Sequence, residues 1–304
     1  VSSRGVYKFP VEDKKSTKYE DHQCSSYDVE ACSWSNIPDE DFALADDNHW
    51  TIGQFVWTGF DYLGEPSPYD TDAWPNHSSM FGIIDLASLP KDRYYLYRSV
   101  WNKDAVTLHI LPHWTWPGRE GEVTPIFVYT NYPTAELFIN GKSYGKQSKN
   151  NSSLKNRYRL MWMDAVYEPG EVKVVAYNKD GKAVAEKVVR TAGKPHHIEL
   201  VSNRNELTAD GKDLAYVTVK VVDKDGNLCP TDNRQINFSA KGAGKYRAAA
   251  NGDPTNLEQF HLPKMHAFNG MLTAIIQAGE TAGEIVFTAK ANGVKAGNIR
   301  IQTK

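Results

Sequence analysis

The chain has 304 residues, a length that suits two or three domains better than one small core. Its 35 basic and 37 acidic side chains leave a net charge of −2, which removes the electrostatic basis for binding nucleic acid or another polyanion. The mean hydropathy of −0.54 suits a soluble globular protein. No apolar run approaches the ~18 residues that would span a bilayer, and the first residues, VSSRGVYKFP, contain no apolar stretch of a secretion signal.

Neither the cysteines nor the sequence motifs indicate a bound metal or cofactor. The three cysteines, Cys24, Cys32 and Cys229, fit no zinc spacing. Cys24 and Cys32 could form a bridge in an oxidising compartment, or all three could be incidental thiols. The sequence contains no glycine-rich phosphate loop and no metalloprotease motif. We therefore expect neither a cofactor nor a metal site.

Aromatic residues make up 12% of the chain, and seven of the eight tryptophans precede residue 117. Aromatic rings beside Asp and Glu suit sugar recognition, because sugar C–H faces pack on rings while hydroxyl groups need polar acceptors. A large aromatic core explains the same composition equally well.

Residues 1–104 combine helix and loop signals with one apolar run. Pro38, followed by two acidic residues, predicts a helix start. Residues 51–58 (TIGQFVWT) are β-branched, aromatic and uncharged, which predicts a buried strand of a parallel sheet or barrel. A loop to about Ser79 follows, and its length is typical of a functional loop. Residues 91–101 place apolar groups at helical spacing and predict a short amphipathic helix.

From about residue 105 the apolar period changes to two, which predicts strands. Two-residue hairpin turns are expected at Asn140-Gly141 and Asp180-Gly181, with another turn at Asp225-Gly226. The pattern predicts two successive β-sandwiches joined near residues 193–195, the second of immunoglobulin-like type. The predicted strands are 106–111, 125–130, 135–139, 172–177, 198–202, 215–223, 235–240, 270–278 and 283–289.

Residues 54–66 (QFVWTGFDYLGEP) resemble glycoside hydrolase family 2, the β-galactosidase and β-glucuronidase family. Other segments resemble the family's final loop and helix, the sandwich that follows the barrel in many bacterial members, and a C-terminal invasin-like domain. These segments are residues 81–85, 90–97, 113–118, 136–142, 207–211 and 251–254. The resemblance covers nearly the whole chain.

The resemblance implies a (β/α)8 barrel whose site lies at the carboxyl ends of its strands. Hydrolysis with retention needs two glutamates about 5–5.5 Å apart, and the family carries them before the segment that opens this chain. The sequence Asn205-Glu206, the one Asn-Glu pair, falls in the last sandwich and is interpreted as structural. We therefore expect the chain to contain the last barrel strand and helix but no catalytic residue.

Four residues are candidate substrate contacts by family resemblance: Trp57, Asp61, Glu65 and Trp74. Trp57 is expected against the sugar, although barrel core would also explain it. Asp61 and Glu65 are expected to accept hydroxyl hydrogen bonds or support the site, and a loop-structuring role explains them as well. Trp74, with Tyr69, could line outer sugar subsites or simply pack the loop.

Two further motifs have competing interpretations. His113, Trp114 and Trp116 could form an exposed sugar platform or seal the first sandwich against the barrel. Residues 223–227 (DKDGN) resemble a calcium loop, but no Glu occurs at the twelfth position, which favours a hairpin.

The expected fold class is mainly β: two immunoglobulin-like sandwiches, residues 105–193 and 194–304, preceded by a partial barrel segment, residues 1–104. The expected function is that of the C-terminal region of a retaining exo-β-glycosidase, which by resemblance is β-galactosidase-like, and the chain is expected to be inactive by itself. The alternative is a carbohydrate-binding or adhesion module. The expected partner is a carbohydrate substrate, with no nucleic acid, no membrane span and a homo-oligomer left open. The resemblance implies a periplasmic or extracellular location.

Overall fold

The computed structural model describes Val29, Ala31, residues 35–66 and residues 76–304. The chain divides into two compact units. Unit 1 contains Val1–Asp85 and Pro90–Thr191, and unit 2 contains Leu86–Leu89 and Ala192–Lys304. Four residues of the first part of the chain are thus built into the second unit. Within the described ranges, no helix is both long enough and apolar enough to cross a membrane.

Three helices occur in the described residues: α1 (Pro38–Asp47), α2 (Asp92–Trp101) and α3 (Leu154–Tyr158). The predictions of α1 and α2 are confirmed. Proline and three acidic residues occupy the start of α1, where they suit the helix dipole. The short helix α3 escaped prediction, and it is capped by the Ser153 hydroxyl, which accepts a 3.1 Å hydrogen bond from the Asn156 amide.

Residues 51–58 form no strand, so the prediction of a buried strand there is wrong. Phe55 is fully exposed and Trp57 is 74% exposed. A central strand needs a neighbour on each side to take up its amide and carbonyl groups. Among the described residues, β-type pairing begins just after this segment, where Phe60 bridges to Ile84. The apolar pattern indicated burial, but no described strand lies beside it.

Unit 1 contains two antiparallel sheets. A three-stranded sheet has the order β1-β2-β5, and a four-stranded sheet has the order β4-β3-β6-β7. The turn at Asn140-Gly141 is confirmed, with φ of 48° and 81° at the two residues. The strands are β1 (Leu108–Leu111), β2 (Ile126–Thr130), β3 (Thr134–Ile139), β4 (Lys142–Ser148), β5 (Leu160–Trp162), β6 (Glu171–Tyr177) and β7 (Ala183–Arg190).

The aromatic cluster after β1 belongs to the core of this sandwich. Trp114 and Trp116 are buried among residues of β2, β3, β5 and β6. The Trp114 indole donates to the Glu168 carbonyl at 2.9 Å, and the His113 ring stacks on Trp116 at 4.1 Å between centroids. The interpretation of these residues as an exposed sugar platform is wrong. The alternative, a seal of this sandwich against the barrel, stays a prediction, and both tryptophans lie in the sandwich's own core.

Unit 2 is a second sandwich of two sheets, in the orders β12-β14-β10-β8 and β13-β11-β15-β16-β9. Their inner faces share one apolar core that includes Val217, Ile276 and Phe287. Two sandwiches and a mainly β fold are therefore confirmed. The strands are β8 (His197–Ser202), β9 (Glu206–Leu207), β10 (Leu214–Val222), β11 (Gln235–Gly242), β12 (Gly244–Ala250), β13 (Lys264–His266), β14 (Met271–Ala278), β15 (Gly283–Lys290) and β16 (Gly297–Thr303).

The DKDGN motif forms a turn after β10, closed by an antiparallel bridge between Val222 and Leu228. The buried carboxylate of Asp223 accepts hydrogen bonds from the amides of Asp225 and Asn227, both at 2.9 Å, and from the Gly193 amide at 2.8 Å. The predicted hairpin is confirmed, and its aspartate also fixes the chain where unit 2 begins.

Helix α1 is fastened to the first sandwich by ionic contacts, which we call the clasp. Asp39 forms an ion pair with Arg159, and both side chains are fully buried. Near the other end of α1, the Arg157 guanidinium donates two hydrogen bonds to Asp47, at 2.8 and 2.9 Å, and the Tyr158 hydroxyl donates to Asp46 at 2.8 Å. The clasp joins the first described helix to residues more than a hundred positions later.

Candidate functional site

The candidate site is the loop that begins at Trp57, whose indole is exposed. The Trp57 Nε1–H donates to the Tyr62 hydroxyl at 3.2 Å, and the two rings pack edge to face with centroids 6.0 Å apart. The Tyr62 hydroxyl in turn donates to the Glu65 carboxylate, and this hydrogen bond raises the pKa of Tyr62. Trp57, Tyr62 and Glu65 therefore form one hydrogen-bonded chain with a free aromatic face.

Asp61 points into the protein and is buried. One carboxylate oxygen accepts the Gly82 amide at 2.7 Å, and the other pairs with the Lys91 ammonium at 2.5 Å. Burial raises the pKa of Asp61, while Lys91 and the Gly82 amide act against the increase. Asp61 thus ties this loop to the residues that precede α2. Direct contact of Asp61 with a substrate stays a prediction.

The backbone after Trp57 pairs with a second segment. The Ile83 amide donates to the Thr58 carbonyl at 3.1 Å, the Ile84 amide to Gly59 at 2.9 Å, and the Asp61 amide to Ile84 at 2.9 Å. This close approach requires glycine at position 82, because a Cβ there would lie 2.3 Å from the Asp61 nitrogen.

The far part of the loop also folds back on itself. The Ser79 amide donates to the Tyr62 carbonyl at 2.9 Å, and the Gly64 amide donates to His77 at 3.0 Å. Trp74 and Tyr69, the candidates for outer sugar subsites, lie outside the described residues. Asn205-Glu206 lies at sheet-edge strand β9, where Glu206 pairs with Lys304, which agrees with a structural role.

Large apolar side chains are exposed along and beside this loop, and we call them the apolar segment. Exposed apolar side chains of this number are typical of surfaces that contact another molecule or chain segment. Its members are Trp50, Ile52, Phe55, Trp57 and Phe60.

Sequence reasoning located Trp57, Asp61 and Glu65 but missed Tyr62 and Lys91, which hold them. Tyr62 was signalled only by its place inside the motif, five residues after Trp57. Lys91 was placed at the start of a helix, and nothing in the sequence pairs it with a carboxylate thirty positions earlier.

Two family matches cover most of the sandwich region. The family described as glycoside hydrolase family 2 C-terminal domain 5 matches residues 198–300. The family described as a domain of unknown function, DUF4982, matches residues 121–185.

Whole-chain comparisons extend the match to the Trp57 loop. The chain is 42% identical to a β-galactosidase of Bacteroides ovatus, covering 100% of this chain and 35% of that protein. It is 23% identical to a β-glucuronidase of Formosa agariphila, covering 88% of this chain and 27% of that one. A crystal structure of a β-glycosidase from Bacteroides vulgatus superposes with a TM-score of 0.83 at 31% identity, covering 92% of this chain and 34% of that chain.

The class that the fold and these matches define is that of the glycoside hydrolases. The chain belongs to glycoside hydrolase family 2. It spans about a third of the length of the Bacteroides ovatus relative.

Proposed function

We propose that this chain is the C-terminal region of a retaining exo-β-glycosidase that removes terminal β-linked galactose. The observation that carries the proposal is the exposed Trp57 face, held by Tyr62 and Glu65 within an uncovered apolar segment. The 42% identity to a β-galactosidase supports galactose as the sugar.

In this proposal Trp57 packs against the C–H face of the sugar, and Glu65 accepts a hydroxyl hydrogen bond beside it. Asp61 supports the loop through Lys91 and Gly82. Trp74 extends the binding surface toward outer subsites. The Lys91 ammonium beside this loop is neutralised by its ion pair with Asp61. It is therefore a poor partner for the carboxylate of a uronate, which favours a neutral sugar.

The two catalytic glutamates are proposed to lie outside these 304 residues. A retaining glycosidase needs a pair of carboxylates about 5–5.5 Å apart. The two carboxylates of the described loop have other partners, since Glu65 accepts the Tyr62 hydroxyl and Asp61 pairs with Lys91. The apolar segment is then the surface that the rest of a barrel covers.

We further propose that residues 1–104 complete the catalytic barrel and that residues 105–193 and 194–304 are sandwich domains supporting it. The substrate is a carbohydrate, and the protein acts in the periplasm or outside the cell, where polysaccharides are met.

The test compares the purified 304-residue chain with a longer protein that carries the upstream region. The chain alone should not hydrolyse nitrophenyl β-galactoside, whereas the longer protein should, and should prefer it to nitrophenyl β-glucuronide. Turnover by the chain alone would contradict the proposal that the glutamates lie outside these 304 residues. A preference for the glucuronide would overturn the choice of galactose as the sugar.

The role of Trp57 is tested in the longer protein. Trp57→Ala should lower kcat/KM by about tenfold or more, because the packing face is lost. Trp57→Phe keeps a ring and should retain most of the activity. Equal activity of Trp57→Ala and the parent protein would remove Trp57 from the site.

A further inference from the structure

Two cationic side chains at the start of helix α2, in unit 1, hold consecutive carbonyl groups of an earlier segment. The Lys91 ammonium donates to the Met80 carbonyl at 2.8 Å, and the Arg93 guanidinium donates to the Phe81 carbonyl at 2.6 Å. A hydrogen bond with a charged donor is roughly twice as strong as one between neutral groups. Arg93 is 5% exposed, so its hydrogen bond is shielded from water. The start of α2 therefore fixes residues 80 and 81.

Phe81 is the last of three aromatic rings in a row that leads to the candidate site. The rings of Phe81 and Tyr62 pack edge to face with centroids 6.0 Å apart, as do the rings of Tyr62 and Trp57. The Tyr62 hydroxyl also accepts the Trp57 indole N–H at 3.2 Å. Aromatic pairs favour this edge-to-face geometry. A shift of Phe81 would therefore disturb Tyr62 and, through it, Trp57.

Helix α2 is itself packed on the first sandwich, within the same unit. Tyr97 belongs to one buried apolar cluster with Leu111 of β1 and Phe127 of β2. Near the start of the helix, the Asp92 carboxylate is hydrogen-bonded to the His109 ring of β1, with 2.7 Å between Oδ1 and Nε2. The sandwich therefore holds both the start and the middle of the helix.

Arg93 connects this packed helix to the row of rings. One terminal nitrogen donates to the Phe81 carbonyl, and the other donates to the Tyr97 hydroxyl at 3.3 Å. A guanidinium presents its donors in a rigid planar fork, so it fixes two acceptors relative to each other, whereas an ammonium on a flexible stem does not. The position of Phe81 is thus set by a helix that the sandwich holds.

We propose that Arg93 is a positioning residue that orients the Trp57 ring through Phe81 and Tyr62. The first sandwich is then part of the support of the candidate site, because it holds the helix that carries Arg93. The consequence for sugar binding rests on the proposed function, whereas the orientation of the ring does not.

The test observes the Trp57 ring in the 304-residue chain without any sugar. The chain is labelled with fluorotryptophan, and the fluorine NMR resonance of Trp57 is identified by its loss in Trp57→Phe. Arg93→Met keeps the stem and removes the donors, and we expect the Trp57 resonance to shift toward its position in the urea-unfolded chain. Arg93→Lys keeps a cationic donor and should return the resonance toward its position in the parent chain. A steric role of the stem would give the same spectrum in both variants.

Arg98→Met is the matched control. Arg98 lies five positions after Arg93 on the same helix, and its replacement removes the same charge. This variant should leave the Trp57 resonance unchanged. An unchanged resonance in Arg93→Met, or an equal shift in Arg98→Met, would overturn the proposal.

A second variant covers the case in which the arginine variant unfolds unit 1. The resonances of Trp114 and Trp116, which lie in the core of the sandwich, report such unfolding. Phe81→Leu removes the ring at the end of the row and leaves the backbone carbonyl in place. We expect the Trp57 resonance to shift while those of the two core tryptophans stay, and an unchanged Trp57 resonance contradicts the proposal.

Kinetics of the longer protein separate the positioning from the proposed function. If Arg93 acts through Trp57, Arg93→Met should lower kcat/KM in the parent but by less than about twofold further in the Trp57→Ala background, because coupled residues are not additive. An equal loss in both backgrounds would contradict the proposal. A shifted Trp57 resonance with unchanged kinetics would support the positioning and contradict the contact of Trp57 with the sugar.

Discussion

Residues 51–58 and strand β15 have similar compositions, rich in β-branched and aromatic side chains, yet their environments are opposite. Phe287 in β15 is fully buried, whereas Phe55 is fully exposed. Strand β15 lies between β11 and β16, which take up its backbone groups on both sides. No described strand flanks residues 51–58, although the carbonyl of Thr58, at the end of the segment, accepts the Ile83 amide at 3.1 Å. The difference teaches that β-propensity produces a strand only where hydrogen-bonding partners are at hand.

The largest expected difference in the free energy of unfolding comes from replacing one phenylalanine by alanine in each of the two regions. Phe287→Ala should lower the free energy of unfolding by about 3–5 kcal/mol, because it opens a cavity in the core of unit 2. Phe55→Ala should change it by less than about 0.5 kcal/mol, since the ring has no cover to lose. Urea denaturation followed by circular dichroism measures both. A large loss in Phe55→Ala would mean that the apolar segment is packed in solution, and the comparison would fail.

The second largest effect is a loss of stability at low pH, and it is expected in unit 1, which carries the apolar segment. Burial lowers the pKa of His113, in unit 1, to about 4 from an ordinary value of 6.5. The unfolded chain binds this proton more readily, so stability present above pH 6.5 is lost as the pH falls toward 4. The loss should reach about 3 kcal/mol, measured by urea denaturation at several pH values.

His113→Gln is the control for this loss, because it removes the titrating group and retains a polar side chain. In this variant the free energy of unfolding of unit 1 should change less between pH 6.5 and 4. An unchanged slope would show that other groups cause the acid sensitivity.

The smallest effect is expected in the unit that carries β15. Burial acts to raise the pKa of Asp223, but hydrogen bonds from Asn227 and from the amides of Gly193 and Asp225 outweigh it and hold the pKa at about 2. A depressed carboxyl pKa stabilises the fold above the ordinary value of 3.8, and this contribution is lost as the pH falls toward 2. Unit 2 should therefore lose about 2 kcal/mol, most of it below pH 4.

Asp223→Asn should remove most of that dependence, and thermal unfolding between pH 4 and 2 checks it. If unit 2 of the variant still weakened as much as the parent over this range, the hydrogen bonds to Asp223 would not be the cause.

The elements that sequence predicted share one property: their local pattern and their burial agree. Helices α1 and α2 and the inner strands β3, β6 and β10 were found because one face of each is apolar. Strands β4 and β7 were missed, since both are outer strands of their sheet with largely exposed side chains. Their pairing is set by neighbours and not by their own composition.

For the candidate site, sequence located the loop but not its support. The motif placed Trp57 and Glu65 together within nine positions. The contacts of Asp61 with Lys91 and Gly82 join residues 30 and 21 positions apart, and only the folded chain brings them together. Such long-range pairs leave no local pattern to read.

The clasp has a practical consequence for dividing this protein into pieces. An expression boundary at residue 104, where the apolar period changes, would remove Asp39, the ion-pair partner of Arg159, together with the side chains of α1 and α2 that pack against Phe127 and Tyr129. A first sandwich excised in that way would test a weakened protein, so a binding assay on the sandwiches needs a boundary that lies before Pro38.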